Sequence, residues 1–258
     1  MVFYYKSFLS FDLGFIKIQA WGILVAIAFL AGLWLALKEA DRKKQDKEII
    51  YGIVTIMLFS MFIGARLLYV IQEWGYYSAN LLEIFKIWDG GLSFFGGFIV
   101  AIVWGFFYLR SKKVHVLGYL DTIAPSVAIG HAIGRIGCIF GDGGHLGKLT
   151  TAQWGASILN TESEFYGQVR HLTSLYEFVE LTLIFVILYS LRKKRYFEGF
   201  LFSTYAFMYS FSRFFTDFYR TDPTYLGLTI AQYISITLFL IFGIFIIMNL
   251  KNLKKVKR

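Results

Sequence analysis

Residues 130–147 read GHAIGRIGCIFGDGGHLG and place several polar side chains in an otherwise apolar stretch. Read as a helix, His131, Arg135, Cys138 and Asp142 fall at i, i+4, i+7 and i+11, so they line one face. The planar guanidinium of Arg135 suits bidentate recognition of a phosphate. The imidazole of His131, one turn earlier, is a group able to accept a proton. Cys138 reads equally as a small packing residue and as a reactive thiol. Gly130, Gly134, Gly137 and Gly141 repeat the same spacing one residue earlier. Small residues so spaced let a neighbouring helix approach closely. A polar stripe beside a small one, inside an apolar span, has the shape of a buried site.

Two further arginines lie inside apolar segments, where each costs on the order of 2.5–3.5 kcal/mol at the centre of a span. Arg213 has Asp217 four residues on, so an intrahelical pair is one reading and a binding role the other. Arg66 lies near the outer end of its segment and either snorkels or serves a site. Arg135 has no acid at i±3 or i±4 and needs a partner elsewhere. His115, His145 and His171 stand near segment ends and read as interfacial. His131, His145 and Asp142 lack metal-ligand spacing, and a single cysteine excludes an internal disulfide or a multi-cysteine metal site. No cofactor and no metal is expected.

The elements that position these residues follow from composition. Of 258 residues 57% are hydrophobic and 20% aromatic, and the mean hydropathy is +0.58. That excludes a soluble domain of this length and indicates an all-α polytopic membrane protein. Long uninterrupted apolar runs argue against a transmembrane barrel. Seven spans are expected, at about 18–37, 49–71, 91–109, 117–140, 173–191, 199–219 and 228–250. A charged loop at 38–48 joins the first two, and Pro125 is expected to kink or break the fourth. The chain reads as a single transmembrane domain over 1–258, with an aromatic interfacial segment at 1–17 and an external polar connection at 141–172. Residues 1–17 lack the basic start and short core of a signal peptide.

The net charge of +9 is largely topological. Seventeen Lys and Arg fall in 38–48, 110–113, 192–195 and 251–258, against six in the segments on the other side. The N-terminus is therefore expected outside and the C-terminus in the cytoplasm, with no nucleic-acid partner. The stretch GGLSFFGGFIV at 90–100 has paired glycines at each end. They serve either a helix entry, with Asp89 as a cap, or close approach of backbone to a ligand headgroup.

Together these motifs resemble the bacterial prolipoprotein diacylglyceryl transferases. The matches are IGARLLYVI at 63–71, GGLSFFGG at 90–97, GRIGCIFGDGGHLG at 134–147, SLYE at 174–177, YSFSRFFTDFYRTDP at 209–223 and GLTIAQYIS at 227–235. The resemblance implies transfer of the diacylglyceryl group of phosphatidylglycerol to the thiol of a lipobox cysteine in a secreted prolipoprotein. A thioether forms and glycerol phosphate is released, in the bacterial cytoplasmic membrane. It implies that Arg135 contacts phosphatidylglycerol and that Arg213 is the second essential-type arginine. Tyr209, Asp217 and Arg220 match the tyrosine, acidic and second basic positions of the later helix, and Arg66 the arginine of G-x-R-L. Asp142 stands in for a glutamate.

The departures are specific. Phe95 replaces the histidine of the family's S-F-H-G-G motif, and Cys138 replaces the asparagine after G-R-x-G. His131 is the candidate replacement base. Arg135, Arg213 and His131 thus form the expected catalytic set. Arg135, Arg66, Tyr209, Asp142, Asp217 and Arg220 form the expected lipid-binding set. Loss of the family histidine leaves two alternatives: a catalytically degenerate binder of anionic phospholipid, or a transferase with a different acceptor. A transporter is disfavoured, because it requires a polar path through the whole membrane.

Overall fold

The apolar runs fold as helices because a bilayer offers no water to satisfy exposed backbone groups. The computed structural model describes residues 2–5, 10–12, 17–87, 90–141, 146–161, 163, 165–194 and 196–256. Its helices are α1 Ala20–Lys43, α2 Lys47–Gln72, the single turn α3 Trp74–Tyr77, α4 Phe94–Ser111, α5 Val116–Gly141, α6 Thr173–Leu191, α7 Phe200–Thr216 and α8 Ile230–Val256. Each of the seven expected segments holds one of the long helices. Among the described residues, α1, α2, α5, α6 and α8 are long and apolar enough to cross a membrane. The apolar part of α4 spans 17 residues. α7 also has 17 residues and carries a polar face. The chain is a mostly helical, multi-pass membrane protein.

Two local expectations change. The charged loop at 38–48 shrinks to residues 44–46, because α1 runs through Lys43 and α2 starts at Lys47. Its charges stay helical by pairing: Arg42 with Glu39 at 2.7 Å and Lys47 with Asp41 at 2.7 Å. Asp46 caps α2 by accepting the Glu48 N–H at 2.9 Å. α5 runs unbroken through Pro125. Pro125 withholds a donor from the carbonyl of Asp121. The side-chain carboxylate of Asp121 joins α5 to the start of α7, accepting the N–H groups of Gly199 and Phe202 at 2.8 and 2.9 Å.

The chain forms two compact units. The first comprises residues 1–36 and 120–258. In it the glycine stripe of α5 meets α1: a Cβ on Gly130 would stand 3.2 Å from the Ala28 carbonyl oxygen, and one on Gly137 3.3 Å from Leu24 Cβ. Gly134 faces open space. Ala124 and Ala128 of α5, Ile184 and Leu188 of α6 and Leu201 of α7 form a buried core. Outside the helices, β1 Phe3–Tyr5, β4 Leu146–Leu149, β5 Ala156–Ile158 and β6 Arg170–Leu172 make a sheet of order β1-β5-β6-β4. β1 runs parallel to β5, so the amino-terminal segment is tied to the polar connection. β2 Ser10–Asp12 and β3 Lys17–Gln19 pair antiparallel, as do β7 Thr224–Tyr225 and β8 Leu228–Thr229.

The second unit, residues 37–119, is built on α2 and α4. Their backbones nearly touch: a Cβ on Gly96 would lie 2.3 Å from the Gly64 carbonyl oxygen. Gly96 and Gly97 therefore serve helix packing. Gly90 and Gly91 have φ of +86° and +74°, values that favour glycine. Asp89, the expected cap, lies outside the described residues.

Candidate active site

α6 begins at Thr173, directly after β6, and its first turns bring Glu177 into the interior of the first unit, 1% exposed. Three guanidinium groups converge on that carboxylate. Arg135 of α5 approaches Oε2 at 2.6 Å, Arg213 of α7 approaches Oε1 at 2.7 Å, and Arg220, just beyond α7, approaches Oε1 at 3.5 Å. Asp217 adds a second buried carboxylate, 2.9 Å from Arg213 and 3.5 Å from Arg220. The more exposed Asp222 takes Arg220 Nε at 2.7 Å. Burial works against the charge on Arg220, but Asp222, Glu177 and Asp217 together outweigh it and raise its pKa. Within ion-pair range, three guanidiniums face three carboxylates, the buried Glu177 and Asp217 and the more exposed Asp222, so the cluster is held in place by balanced charge.

The carboxylates are held from behind. The Thr229 hydroxyl donates to Asp217. Thr229 also caps α8 reciprocally: the Gln232 N–H donates to its hydroxyl at 3.1 Å, and Gln232 Oε1 accepts its N–H at 3.0 Å. The Gln232 amide then donates to the Phe214 carbonyl at 3.2 Å, tying α8 to α7. One turn beyond Glu177, Glu180 accepts the Thr216 hydroxyl at 2.6 Å.

Arg135 differs from its neighbours in one respect. Its Nε–H is buried and has no hydrogen-bond partner, whereas Arg213 and Arg220 are engaged by carboxylates on more than one atom. The Arg135 side chain also hydrogen-bonds Tyr209, and Glu177 Oε2 and Asp217 Oδ1 lack a hydrogen bond despite their ion pairs. Among these unmet groups the Nε–H is the donor suited to an incoming acceptor. His131, one turn earlier on α5, has Nδ1 3.4 Å from the Tyr205 hydroxyl and its ring 5.2 Å from that of Tyr209. Tyr205 and Tyr209 stack in parallel on α7. His131 feels the charges of both Arg135 and Arg213. Tyr209 feels those of Glu177, Arg213 and Arg135.

Of the residues expected from sequence, the structure brings Arg135, Arg213, His131, Tyr209, Asp217 and Arg220 together. Asp142 lies outside the described residues. Arg66 belongs to the second unit, 7% exposed, where its donors end on backbone. Nε reaches the Ile84 carbonyl, Nη1 those of Gly90 and Gly91, and Nη2 those of Glu83 and Lys86, at 2.6–3.3 Å. It also lies over the rings of Tyr69 and Tyr77. Arg66 thus shapes the turn that leads into α4. Phe95 sits in the first turn of α4, half exposed. Among the described residues, no group of three or more His, Cys, Asp or Glu has an arrangement that could hold a metal ion.

Sequence reasoning gave Glu177 no role, although SLYE was among the matching motifs. The available signal was an acid inside an apolar span, as costly as an arginine there. Tyr205, Thr229 and Gln232 were missed as well. Only the capping pattern T-x-x-Q at 229–232 announces itself.

The family model for prolipoprotein diacylglyceryl transferase matches residues 9–248. A phosphatidylglycerol–prolipoprotein diacylglyceryl transferase of Listeria monocytogenes is 36% identical over 249 residues, covering 94% of this chain and 90% of the relative. A protein of the same name from Clostridium botulinum is 35% identical over 257 residues, 97% of this chain and 98% of its own. One from Pediococcus pentosaceus is 34% identical over 240 residues, 90% of this chain and 86% of its own. The chain belongs to the prolipoprotein diacylglyceryl transferase family.

Proposed function

We infer that this chain transfers the diacylglyceryl group of phosphatidylglycerol to the lipobox cysteine thiol of a prolipoprotein. The observation that carries this reading is the buried Nε–H of Arg135, open to an acceptor, beside the guanidiniums of Arg213 and Arg220. A phosphodiester oxygen matches that donor. With Glu177 fixing one edge of the guanidinium, the Nε edge is left to a phosphate oxygen. Arg213, braced by Glu177 and Asp217, is the second cation for that phosphate.

In the reaction the acceptor sulfur bonds to the glycerol carbon, the carbon–oxygen bond to phosphate breaks, and its electron pair stays on the phosphate oxygen. Charge grows there, so pre-positioned guanidiniums favour the transition state over the ground state. Tyr209, Asp217 and Arg220 complete the lipid-headgroup site. His131, the candidate replacement base, is held by Tyr205 among the charges of Arg135 and Arg213. We therefore assign it proton transfer on the phosphate side, which leaves the proton of the thiol to another group. Arg66 serves lipid binding through the turn that it organises, and Asp142, the next residue in sequence after α5, is assigned to lipid binding by the resemblance alone. The names of the relatives are those of transferases, and a binder without turnover is the less favoured reading.

For topology we propose seven spans, α1, α2, α4, α5, α6, α7 and α8, with the N-terminus outside the cytoplasmic membrane. The distribution of Lys and Arg supports this. The sheet around 146–172 then lies outside, where a secreted precursor arrives.

The test is reconstitution of the purified chain in phosphatidylglycerol vesicles with a lipobox peptide. Mass spectrometry should find the diacylglyceryl thioether together with free glycerol phosphate. Bound phosphatidylglycerol without product would contradict the transferase reading.

A further inference from the structure

We propose that His171 takes the proton of the acceptor thiol; this rests on the transferase reading above. With Phe95 in place of the family histidine, the thiol needs another acceptor, since only a few per cent of a thiol of pKa about 8.5 is ionised at neutral pH. The first unit offers one beside the arginine cluster. His171 ends β6 just before α6, with Nδ1 3.0 Å from the Tyr176 hydroxyl and its ring 4.7 Å from that of Tyr219. The two tyrosine rings meet edge-on at 6.0 Å.

The placement follows from chain order. Tyr176 and Tyr219 touch His171, while the next residues along, Glu177 and Arg220, belong to the ionic cluster. Consecutive side chains of α6 and of the turn after α7 thus face two adjoining sites. The imidazole is neither sealed in nor fully exposed. Tyr219 is 45% and Trp154 66% exposed, so a peptide can reach the ring from outside the helices.

Tautomer and charge fit a base. Trp154 hydrogen-bonds the Tyr176 hydroxyl, and an indole N–H can only donate. The Tyr176 oxygen has a lone pair for the Nδ1–H of His171 besides the one that Trp154 uses. We assign this tautomer, which leaves the Nε2 lone pair for a proton. Among the described residues, the titratable groups facing the ring are Tyr176 and Tyr219. Partial burial lowers the His171 pKa, keeping the imidazole neutral near pH 7.

The step balances. Nε2 accepts the S–H proton, sulfur forms the bond to the glycerol carbon, and the carbon–oxygen bond breaks toward phosphate. Glycerol phosphate leaves against Arg135 and Arg213, and the imidazolium returns its proton to water.

The experiment uses the full chain in phosphatidylglycerol vesicles with a lipobox peptide, comparing parent, His171→Gln and His171→Ala across pH 6.5–9.5. A lost base should slow transfer about 100-fold at pH 7 while lipid binding holds. The deficit should shrink at alkaline pH, where the thiol ionises by itself. Added imidazole should restore His171→Ala. Parent-like rates at pH 7, or a deficit equal at every pH, would overturn the proposal. Tyr176→Phe, which keeps the imidazole in place, should lose several-fold in rate and recover at high pH; an unchanged rate overturns the tautomer assignment. A parent that gives no product at any pH sinks the transferase reading itself and this proposal with it.

Discussion

Arg135 of α5 and Glu177 of α6 meet at 2.6 Å, and this contact fixes one edge of the guanidinium while its buried Nε–H stays open. Glu177 is also the hub for Arg213 and Arg220. Removing the shared partner leaves arginines facing one another across a nearly closed interior. Such losses cost about 3–5 kcal/mol. The lower end applies here, because the arginine side chains keep 15–18% exposure. Glu177→Gln should lower the thermal midpoint in detergent. Combined with Arg213→Gln it should cost less than the two changes summed, because the residues are directly coupled. Additive effects would show that the hub is not shared.

Helix contact in the second unit makes a steric prediction. A Cβ at Gly96 would stand 2.3 Å from the Gly64 carbonyl oxygen and 2.4 Å from Leu68 Cβ. Gly96→Val should therefore cost about 1–3 kcal/mol or more and cut the folded yield. Gly105→Ala is the control, since its Cβ would meet Met57 Cγ at an ordinary 3.6 Å. Equal yields for the two variants would contradict the packing.

His131 should affect turnover more than lipid binding. Held by Tyr205 next to Tyr209, it lies one turn from Arg135. His131→Gln should slow transfer by about 10²-fold with phosphatidylglycerol affinity nearly unchanged. Raising the pH should not restore the rate, because the lost group is on the phosphate side. Unchanged turnover removes His131 from the mechanism.

How much of this was legible in the sequence depends on the range of each interaction. The stripe of His131 and Arg135 and the glycine stripe beside it are local periodicities on one helix, and both could be read directly. Glu177 could not be read as the partner of Arg135, because that pairing joins two helices with a sheet intervening in the chain. The carbonyls that take up Arg66 belong to an irregular turn at 83–91, whose shape no periodicity encodes. The loop at 38–48 misled for a different reason. Charges end an apolar span but not a helix, and Glu39–Arg42 pairing carries α1 on beyond it. Pro125 removes one hydrogen bond, and packing on both sides keeps α5 continuous.

The central claim is that Arg135 holds the phosphate of phosphatidylglycerol through a fork of donors. The most direct test compares initial rates of the parent and Arg135→Lys over a range of phosphatidylglycerol mole fractions. Lysine keeps the charge facing Glu177 but has no Nε–H edge. Loss of a charge-assisted hydrogen bond, about 1.5–3 kcal/mol, should lower kcat/KM for the lipid by about 10- to 100-fold. A lysine variant as fast as the parent at every mole fraction would contradict the account.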